Sequence, residues 1–363
     1  MKIGLIGFGF MGKAFVHSLS SINQFYKNYI PNIEISGVVT SSNISSKKID
    51  LKRYNIKKAY SDINELLSND EIDSIYIASP NTFHFEQLIS SIKFNKNVLC
   101  DKPITINSKQ SKKVLNYQKS NKIYQMMFEY RNFPAIREIK SLIEKKKIGD
   151  LIGFKASYLH GSYLDTNRPI SWRLKKGGGA LSDLAPHVID LCNFLIDDIE
   201  MIKGFKRNII SKRPKNNKSK IYQKVDVDDY AVSVCKTKKG VTGILDVSRL
   251  SMGSTDDLSI TLNGTKGSLK WNLEELNFYH HLDEEGSKKI FAKNNFFNQT
   301  DFPPEKVSNG WLRAHAHSVY QFVSRVNKIK IPKKELSYIP SFEDGHKVQA
   351  SIDAFTNINK FFK

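Results

Sequence analysis

Cysteine is nearly missing from this 363-residue chain, which has only Cys100, Cys192 and Cys235. An odd number at wide spacing makes neither a disulfide framework nor a metal-ligand pattern. Buried apolar thiols in a reducing cytoplasm are the expectation. Long apolar runs are missing too: none approaches the roughly 20 residues of a membrane span, so no membrane partner is expected. The start carries no secretory pattern, since glycines interrupt its apolar strand and no small-residue cleavage site follows. Acidic residues are scarce, 36 against 56 Lys and Arg, for a net charge of +20. Arginine is scarcer still at ten, so the excess is almost all lysine, spread along the chain. Nucleic-acid sites gather Lys and Arg on one face with aromatics nearby, and this diffuse charge argues against such a partner. The densest run, Lys203 to Lys224, holds nine Lys/Arg and no acid. It reads first as a solvated loop, with attraction of an anionic substrate or polyanion as the functional alternative.

What is present is ample core material: 40% hydrophobic residues, with 22 Phe and 15 Tyr. The length exceeds one ordinary core, which predicts two domains. The chain opens on a short apolar run, Lys2 to Ile6, that reads as a buried parallel strand. It breaks into Gly7-Phe8-Gly9-Phe10-Met11-Gly12, after which Ala14, Phe15, Leu19 and Ile22 recur at helical spacing. In a strand–glycine loop–helix unit, Gly7 permits the tight turn, Gly9 lets backbone approach a pyrophosphate, and Gly12 lets helix and strand pack closely. The open amides and dipole of the helix start favour phosphates.

A second strand, Ile33 to Thr40, ends where such a unit inspects the adenosine ribose. An acid there would select NAD. Thr40-Ser41-Ser42-Asn43, with Lys47 and Lys48 beyond, has no carboxylate to repel a 2′-phosphate, which tilts the choice between NAD and NADP toward NADP. Ile44 to Tyr54 and Ser61 to Leu67 read as helices, and Ser74 to Ala78 as a strand ending in Ser79-Pro80-Asn81-Thr82-Phe83-His84. A helix then runs to about Phe94. Asn97 to Cys100 is a strand ending in Asp101-Lys102-Pro103, followed by a helix (Ser108 to Ser120) and a strand (Tyr124 to Phe128). This alternation predicts a doubly wound parallel sheet over residues 1–128, with ligands outside the carboxyl ends of its strands.

From Glu129 to the end of the chain (129–363) the pattern changes to a second domain. Pro134 to Lys147 reads as a helix and Leu151 to Tyr158 as a strand. Trp172-Arg173 and Gly177-Gly178-Gly179 precede a helix from Ala180 to Leu195. Met201 to Ile210, Tyr230 to Lys236, Val241 to Ser248, Leu258 to Asn263 and Gly267 to Asn272 read as a mostly antiparallel sheet. Helices return at Trp311 to Val326 and Phe342 to Phe361.

Two places invite chemistry. Asp183 and His187, four apart on a helix, share a face, and Asp190 lies near it. A carboxylate beside an imidazole is what a general base needs, and equally what a capped helix with a half-buried histidine looks like. Lys102 lies at the sheet rim, where an ammonium could stabilise a developing alkoxide or simply be an exposed strand-end lysine. His315 and His317, two apart, fall on different helix faces, which argues against a shared metal site; none is expected.

Taken together, GFGFMG at 7–12, SPNTFH at 79–84, DKP at 101–103, WR at 172–173 and GGGALSDLAPHVID at 177–190 resemble the Gfo/Idh/MocA oxidoreductase family, as does Phe342-Glu343-Asp344-Gly345 near the end. The resemblance implies a Rossmann NAD(P)-binding domain. It also implies a substrate-binding and oligomerisation α+β domain with an open antiparallel sheet, often paired in homodimers or homotetramers. It implies hydride transfer between nicotinamide and a secondary alcohol or ketone of a sugar, cyclitol or derivative, possibly anionic. Lys102 would be the family's lysine of the strand-end motif, Asp183 and His187 the second-domain pair, and Asn81 a neighbour of the nicotinamide ribose. Trp172 and Arg173 would contact the cofactor or substrate side. Ser79, Pro80, His84, Asp101 and Lys102 would line the cofactor rim with the glycine loop and Thr40 to Ser42. Two departures stand out: Asp101 where Glu is usual, and Ala185-Pro186 where Gly and a small residue are common. Pro186 is tolerable in the first turns of a helix. The alternative from another class is a non-catalytic sensor or regulator of the same fold.

Overall fold

The computed structural model describes residues 1–40 and 49–358. The expected contacts of Ser41 and Ser42, and Asn43, Lys47 and Lys48 beside them, lie outside the described residues. So does the start of the helix expected over Ile44 to Tyr54, whose Leu51–Asn55 portion is a turn.

The chain forms two compact units, one of Met1–Asn132 with Asn294–His346, the other of Phe133–Lys293 with Lys347–Lys363. A linear division at 128/129 therefore misses a return: residues 294–346 pack with the first unit. Apolar and aromatic burial explains it. The helix Trp311–Val326 lays Val319, Tyr320, Phe322 and Val323 against Phe15, Leu19, Ile22 and Tyr26 of the first helix. Tyr26 and Tyr320 stack with centroids 3.6 Å apart.

In the first unit, β1 (Lys2–Ile6), β2 (Glu34–Val39), β3 (Ser74–Ile77), β4 (Asn97–Asp101) and β5 (Tyr124–Met127) form a parallel sheet in the order β2-β1-β3-β4-β5. Helices α1 (Phe10–Phe25), α2 (Ile63–Leu67), α3 (His84–Lys93) and α4 (Ser108–Tyr117) make the crossovers. Every residue of β3, β4 and β5 is buried, as a sheet covered on both faces requires. Strand order reverses between β2 and β3 around β1, which puts the topological switch at the glycine loop.

The second unit holds a nine-stranded mixed sheet built on β6 (Leu151–Leu159). On one side of β6 lie β11 (Thr242–Ser248), β10 (Tyr230–Thr237) and β7 (Ile199–Arg207). On the other lie β12 (Asp257–Gly264), β13 (Gly267–Asn272), β14 (Phe278–Asp283) and β15 (Gly286–Phe291). Among the described strands of this sheet only the pairings of β6 with β11 and of β7 with β16 (Thr356–Asn357) are parallel, and alternation of buried and exposed residues along β10 and β12 marks one covered and one open face. The covering helices are α5 (Pro134–Glu144), α6 (Ala180–Asp183) and α7 (Ala185–Leu195). In the first unit α8 (Trp311–Val326) and α9 (Lys333–Leu336) follow, and α10 (Phe342–Asp353) leads to β16 (Thr356–Asn357) on β7.

Four expectations are corrected. The single helix over Ala180 to Leu195 is broken at Leu184, because Pro186 in the first turn of α7 has no N–H to continue the ladder. The helix from Phe342 ends at Asp353, and the chain then pairs with the β7 edge instead of running helical to Phe361. The β14–β15 hairpin was not anticipated; it turns at Gly286, whose φ of +113° suits glycine. Finally, the basic run Lys203 to Lys224 is not simply a solvated loop. It carries the end of β7 and a hairpin of β8 (Lys212–Pro214) and β9 (Tyr222–Lys224). Arg213 within it is 1% exposed and donates to the carbonyls of Tyr163 and Asp165. The three cysteines are buried free thiols.

Candidate active site

The first rim is made by the ends of β1, β3 and β4. Gly7 adopts φ +95°, and a Cβ there would sit 2.6 Å from the Ala78 carbonyl oxygen at the end of β3. A Cβ on Gly12 would meet the Gly7 carbonyl oxygen at 2.6 Å, whereas one on Gly9 would meet nothing within 4 Å. So Gly7 and Gly12 are required by packing, and Gly9 leaves open space in front of the α1 start. That start has Gly9 as N-cap with no side-chain cap, and no acid in its first turn. Uncapped amides facing open space are the donor set a pyrophosphate needs, so the loop fits a dinucleotide. Phe8 packs edge-on against Tyr54 at 4.9 Å, and exposed Phe10 lies 5.8 Å from the Trp311 ring. A Gly7→Ala variant is expected to lose at least tenfold in dinucleotide affinity, because alanine must take a disfavoured positive φ and collide with backbone. Fluorescence titration with the reduced dinucleotide measures it, and unchanged affinity would refute the loop assignment.

His84 does not face outward. It is fully buried, with Nδ1 2.7 Å from the Pro103 carbonyl oxygen and Nε2 2.9 Å from the Ser79 carbonyl oxygen. Burial pushes its pKa down, against the pull of those two carbonyls. The ring thus braces the β3 end against the β4 end, holding Ser79 and Lys102-Pro103 in place. Ser79 Oγ bonds Gln87 at 2.5 Å, Pro80 precedes the short turn Asn81–Phe83, and Asn81 is buried. Asp101 Oδ1 accepts the Lys102 amide at 3.0 Å, and Thr40 follows the end of β2.

One acid of this rim was not found from sequence. Glu129, after β5, is 2% exposed, and its Oε2 has no hydrogen-bond partner. Burial foremost, then the charge of Asp101, pushes its pKa up to about 8, while Lys102 and a hydrogen bond from Trp311 pull it down. A carboxyl raised this way is protonated in the folded state over a pH range where the unfolded chain has released its proton. Its contribution to stability is full below the ordinary glutamate pKa and is lost as pH rises toward 8. A Glu129→Gln variant should therefore show a flatter melting temperature between mildly acidic and mildly alkaline pH, gaining on the wild type at the alkaline end. Parallel profiles would contradict a buried neutral acid.

Arg131, two residues on, pairs with Asp344 at 3.2 Å. Burial would raise the Asp344 carboxyl, but the Arg131 charge and two hydrogen bonds from Ser341 hold it below its ordinary range. A Cβ on Gly345 would come within 3.0 Å of the Met126 side chain. The Phe342–Gly345 motif is thus a clamp on the end of β5.

In the second unit, the three-glycine turn and the helix break set the pair. Gly178 lies so close to Arg173 that a Cβ would sit 2.2 Å from its carbonyl oxygen, and Gly179 has φ +95°. Asp228 closes the turn: its carbonyl takes the Ala180 amide at 2.9 Å and its Oδ2 the Leu181 amide at 2.7 Å. Asp183 is buried, and its Oδ2 accepts Arg173 Nε at 3.2 Å and a second guanidinium from Arg249, itself 3% exposed. Arg173 also lies 4.4 Å over the Trp172 ring. His187, buried in the first turn of α7, meets Tyr158 of β6 edge-on at 5.5 Å. The Asp183 carboxylate is thereby held between two guanidinium groups, and His187 follows it in the first turn of α7. Arg249 and Asp228 could not be found from local patterns.

A glycine-looped parallel sheet, with a buried acid and imidazole on helices that cover a mixed sheet, defines an NAD(P)-dependent oxidoreductase, and similarity agrees. The model for an oxidoreductase family with an NAD-binding Rossmann fold matches residues 1–128, and that for the GFO/IDH/MocA C-terminal domain matches residues 136–270. The chain belongs to the Gfo/Idh/MocA family, the sugar and cyclitol dehydrogenases. It is 29% identical to levoglucosan dehydrogenase of Pseudarthrobacter phenanthrenivorans over 76% of this chain and 74% of that one. It is 26% identical to glucose-6-phosphate 3-dehydrogenase of Bacillus subtilis over 98% of this chain and 95% of that one. A solved levoglucosan dehydrogenase in complex with NADH superposes with a TM-score of 0.88 at 25% identity, over 98% of this chain and 95% of that one. No helix among the described residues is long and apolar enough to cross a membrane.

Proposed function

We propose that the enzyme interconverts a secondary alcohol and a ketone on a sugar, cyclitol or derivative, with the dinucleotide held at the glycine loop. The observation that carries this reading is the cradle itself: Gly7 and Gly12 locked by backbone, and the α1 amides left open by Gly9. Gly7 to Gly12, Thr40, Ser79 to Asn81 and Asp101 would hold the cofactor, which when bound supplies the hydride acceptor or donor. The absence of a carboxylate in Thr40 to Asn43 supports NADP over NAD.

For the substrate, the Lys102 ammonium would bond the reacting oxygen and stabilise charge developing there. In the oxidative direction the His187 imidazole would take the hydroxyl proton, and in reduction return it. Asp183, held by Arg173 and Arg249, would accept a hydrogen bond from a neighbouring hydroxyl and help to orient the imidazole. Trp172 would flank the substrate. The open sheet face, where Val234 and Ile244 are register neighbours and both exposed, supports assembly into homodimers or homotetramers. Three buried free thiols fit a reducing cytoplasm.

The test is direct. NADH and NADPH affinities are compared first. A panel of sugars, cyclitols and their phosphates is then followed at the reduced-nicotinamide absorbance band with the preferred form. Turnover of a polyol or sugar supports the reading, and dinucleotide binding without turnover of any of them refutes it.

A further inference from the structure

The second unit contains a cleft of about 660 Å³ between the glycine turn, the end of β7 and the segment joining β9 to β10. Its wall presents five cations, Lys175, Lys176, Lys206, Arg207 and Lys224, and two carboxylates. The two carboxylates offset only part of that charge, Asp228 being coupled electrostatically to Lys206. Asp226 is taken by Lys224 at 2.7 Å, and Asp228 is turned onto the Leu181 amide. Among the described residues no acid pairs with Lys175, Lys176, Lys206 or Arg207. Four like charges gathered on a concave wall repel one another, and an arrangement of that kind is relieved by an anion. The volume is far more than one free anion fills and falls in the range of small-ligand pockets.

The cleft is not independent of the catalytic acid. Gly177, Gly178 and Ser182 line it, while Arg173 and Asp183 flank the same turn and bond each other. Backbone bonds from the Gly178 amide to Lys175 and from the Gly179 amide to Arg173, both 2.8 Å, make that turn one rigid piece. A ligand with its anionic end against Lys206 and Arg207 would thus lie along the turn that leads to Asp183.

We propose that this cleft receives the phosphate of a phosphorylated substrate, whose reacting hydroxyl lies at Asp183 and His187. The proposal rests on the dehydrogenase reading for the hydroxyl and on the cleft alone for the phosphate. Phosphate esters carry the charge that a cluster of exposed lysines and an arginine recognises, and a neutral sugar would gain nothing from it.

The experiment compares the wild type with a Lys206→Gln/Arg207→Gln double variant; both side chains are exposed and neither touches the catalytic pair. Phosphorus NMR with inorganic pyrophosphate as probe, in the presence of saturating NAD(P), reads the cleft without any turnover. Line broadening by the wild type that weakens at least tenfold in the variant is expected; no broadening, or equal broadening, overturns the proposal. Steady-state kinetics then takes each sugar of the panel with its phosphate ester. The ester should show a KM at least tenfold lower than the neutral sugar, and the variant should remove that advantage with kcat unchanged. Pyrophosphate should compete with the ester. An anion that binds the cleft without competing would be an effector, and would overturn the substrate role. Anion binding lost in the variant, with no sugar or ester turned over, would leave the cleft standing and refute the dehydrogenase reading instead. Turnover of neutral sugars with no preference for esters would do the reverse.

Discussion

A Lys102→Ala variant is expected to lose roughly two to three orders of magnitude in kcat while its affinity for the dinucleotide changes little. The reasoning starts from how firmly its backbone is held. The Lys102 amide donates to Asp101 Oδ1 at 3.0 Å, and the carbonyl of the following residue, Pro103, is fixed by the buried His84. These contacts hold the backbone of Lys102 and Pro103 at the strand end. An ammonium aimed at a substrate oxygen matters most when negative charge is growing there, so the loss falls on turnover more than on binding. Lys102→Arg should recover little, because a planar fork cannot stand in for a compact point charge. Equilibrium titration gives the dinucleotide affinity and single-turnover absorbance the chemical rate. A double-mutant cycle with His187→Gln adds a sharper reading: two groups serving one oxygen should give losses that fall well short of additive. Turnover near the wild-type rate in Lys102→Ala would remove the ammonium from the mechanism, and strictly additive losses would separate it from the imidazole.

What was legible in the sequence is what local chemistry dictates. The glycine loop could be placed because Gly7 and Gly12 answer to neighbours a few residues away or at the adjoining strand end, and because alternating strands and helices have few ways to pack. The same holds for Asp101-Lys102-Pro103 at a strand end. The sequence was silent where a residue's partner is remote. Arg249 reaches Asp183 across 66 residues, and Asp228 caps the Leu181 turn across 47. Neither pairing leaves a periodic trace. Glu129 looked like an ordinary acid after a strand, and only its burial, with Asp101 nearby, raises its proton affinity against the opposing charge of Lys102. The helix Trp311–Val326 was recognised as a helix, but amphipathicity does not say which core it covers. Its apolar face found α1, so the first unit is discontinuous in sequence. The basic run misled for a related reason: charge density in one dimension conceals that Arg213 is buried on two carbonyls.

Replacing Asp183 by alanine should damage the fold as well as the reaction, and the two losses can be told apart. Asp183 Oδ2 is shared by Arg173 and Arg249, and Arg249 is 3% exposed. Removing the carboxylate leaves the buried Arg249 guanidinium without its ion-pair partner, with Asp228 the nearby acid that remains, and a broken buried pair of this kind costs about 3–5 kcal/mol. At roughly 2–4 °C per kcal/mol for a chain of this size class, the melting temperature should fall by about 10 °C. Asp183→Asn, which keeps an acceptor of the same shape without the charge, should fall partway. His187→Gln removes no charge partner of a buried arginine, so it should lose turnover with a much smaller change in melting temperature. Arg249→Met should be milder than Asp183→Ala, because Arg173 still neutralises the carboxylate and an apolar side chain replaces the second cation. The ordering of the four melting temperatures, read by calorimetry beside dinucleotide affinity as a check on the folded fraction, is the measurement. If Asp183→Ala melted with the wild type, the carboxylate would not be the hub of the arginine pair, and its proposed service to His187 would lose its structural basis.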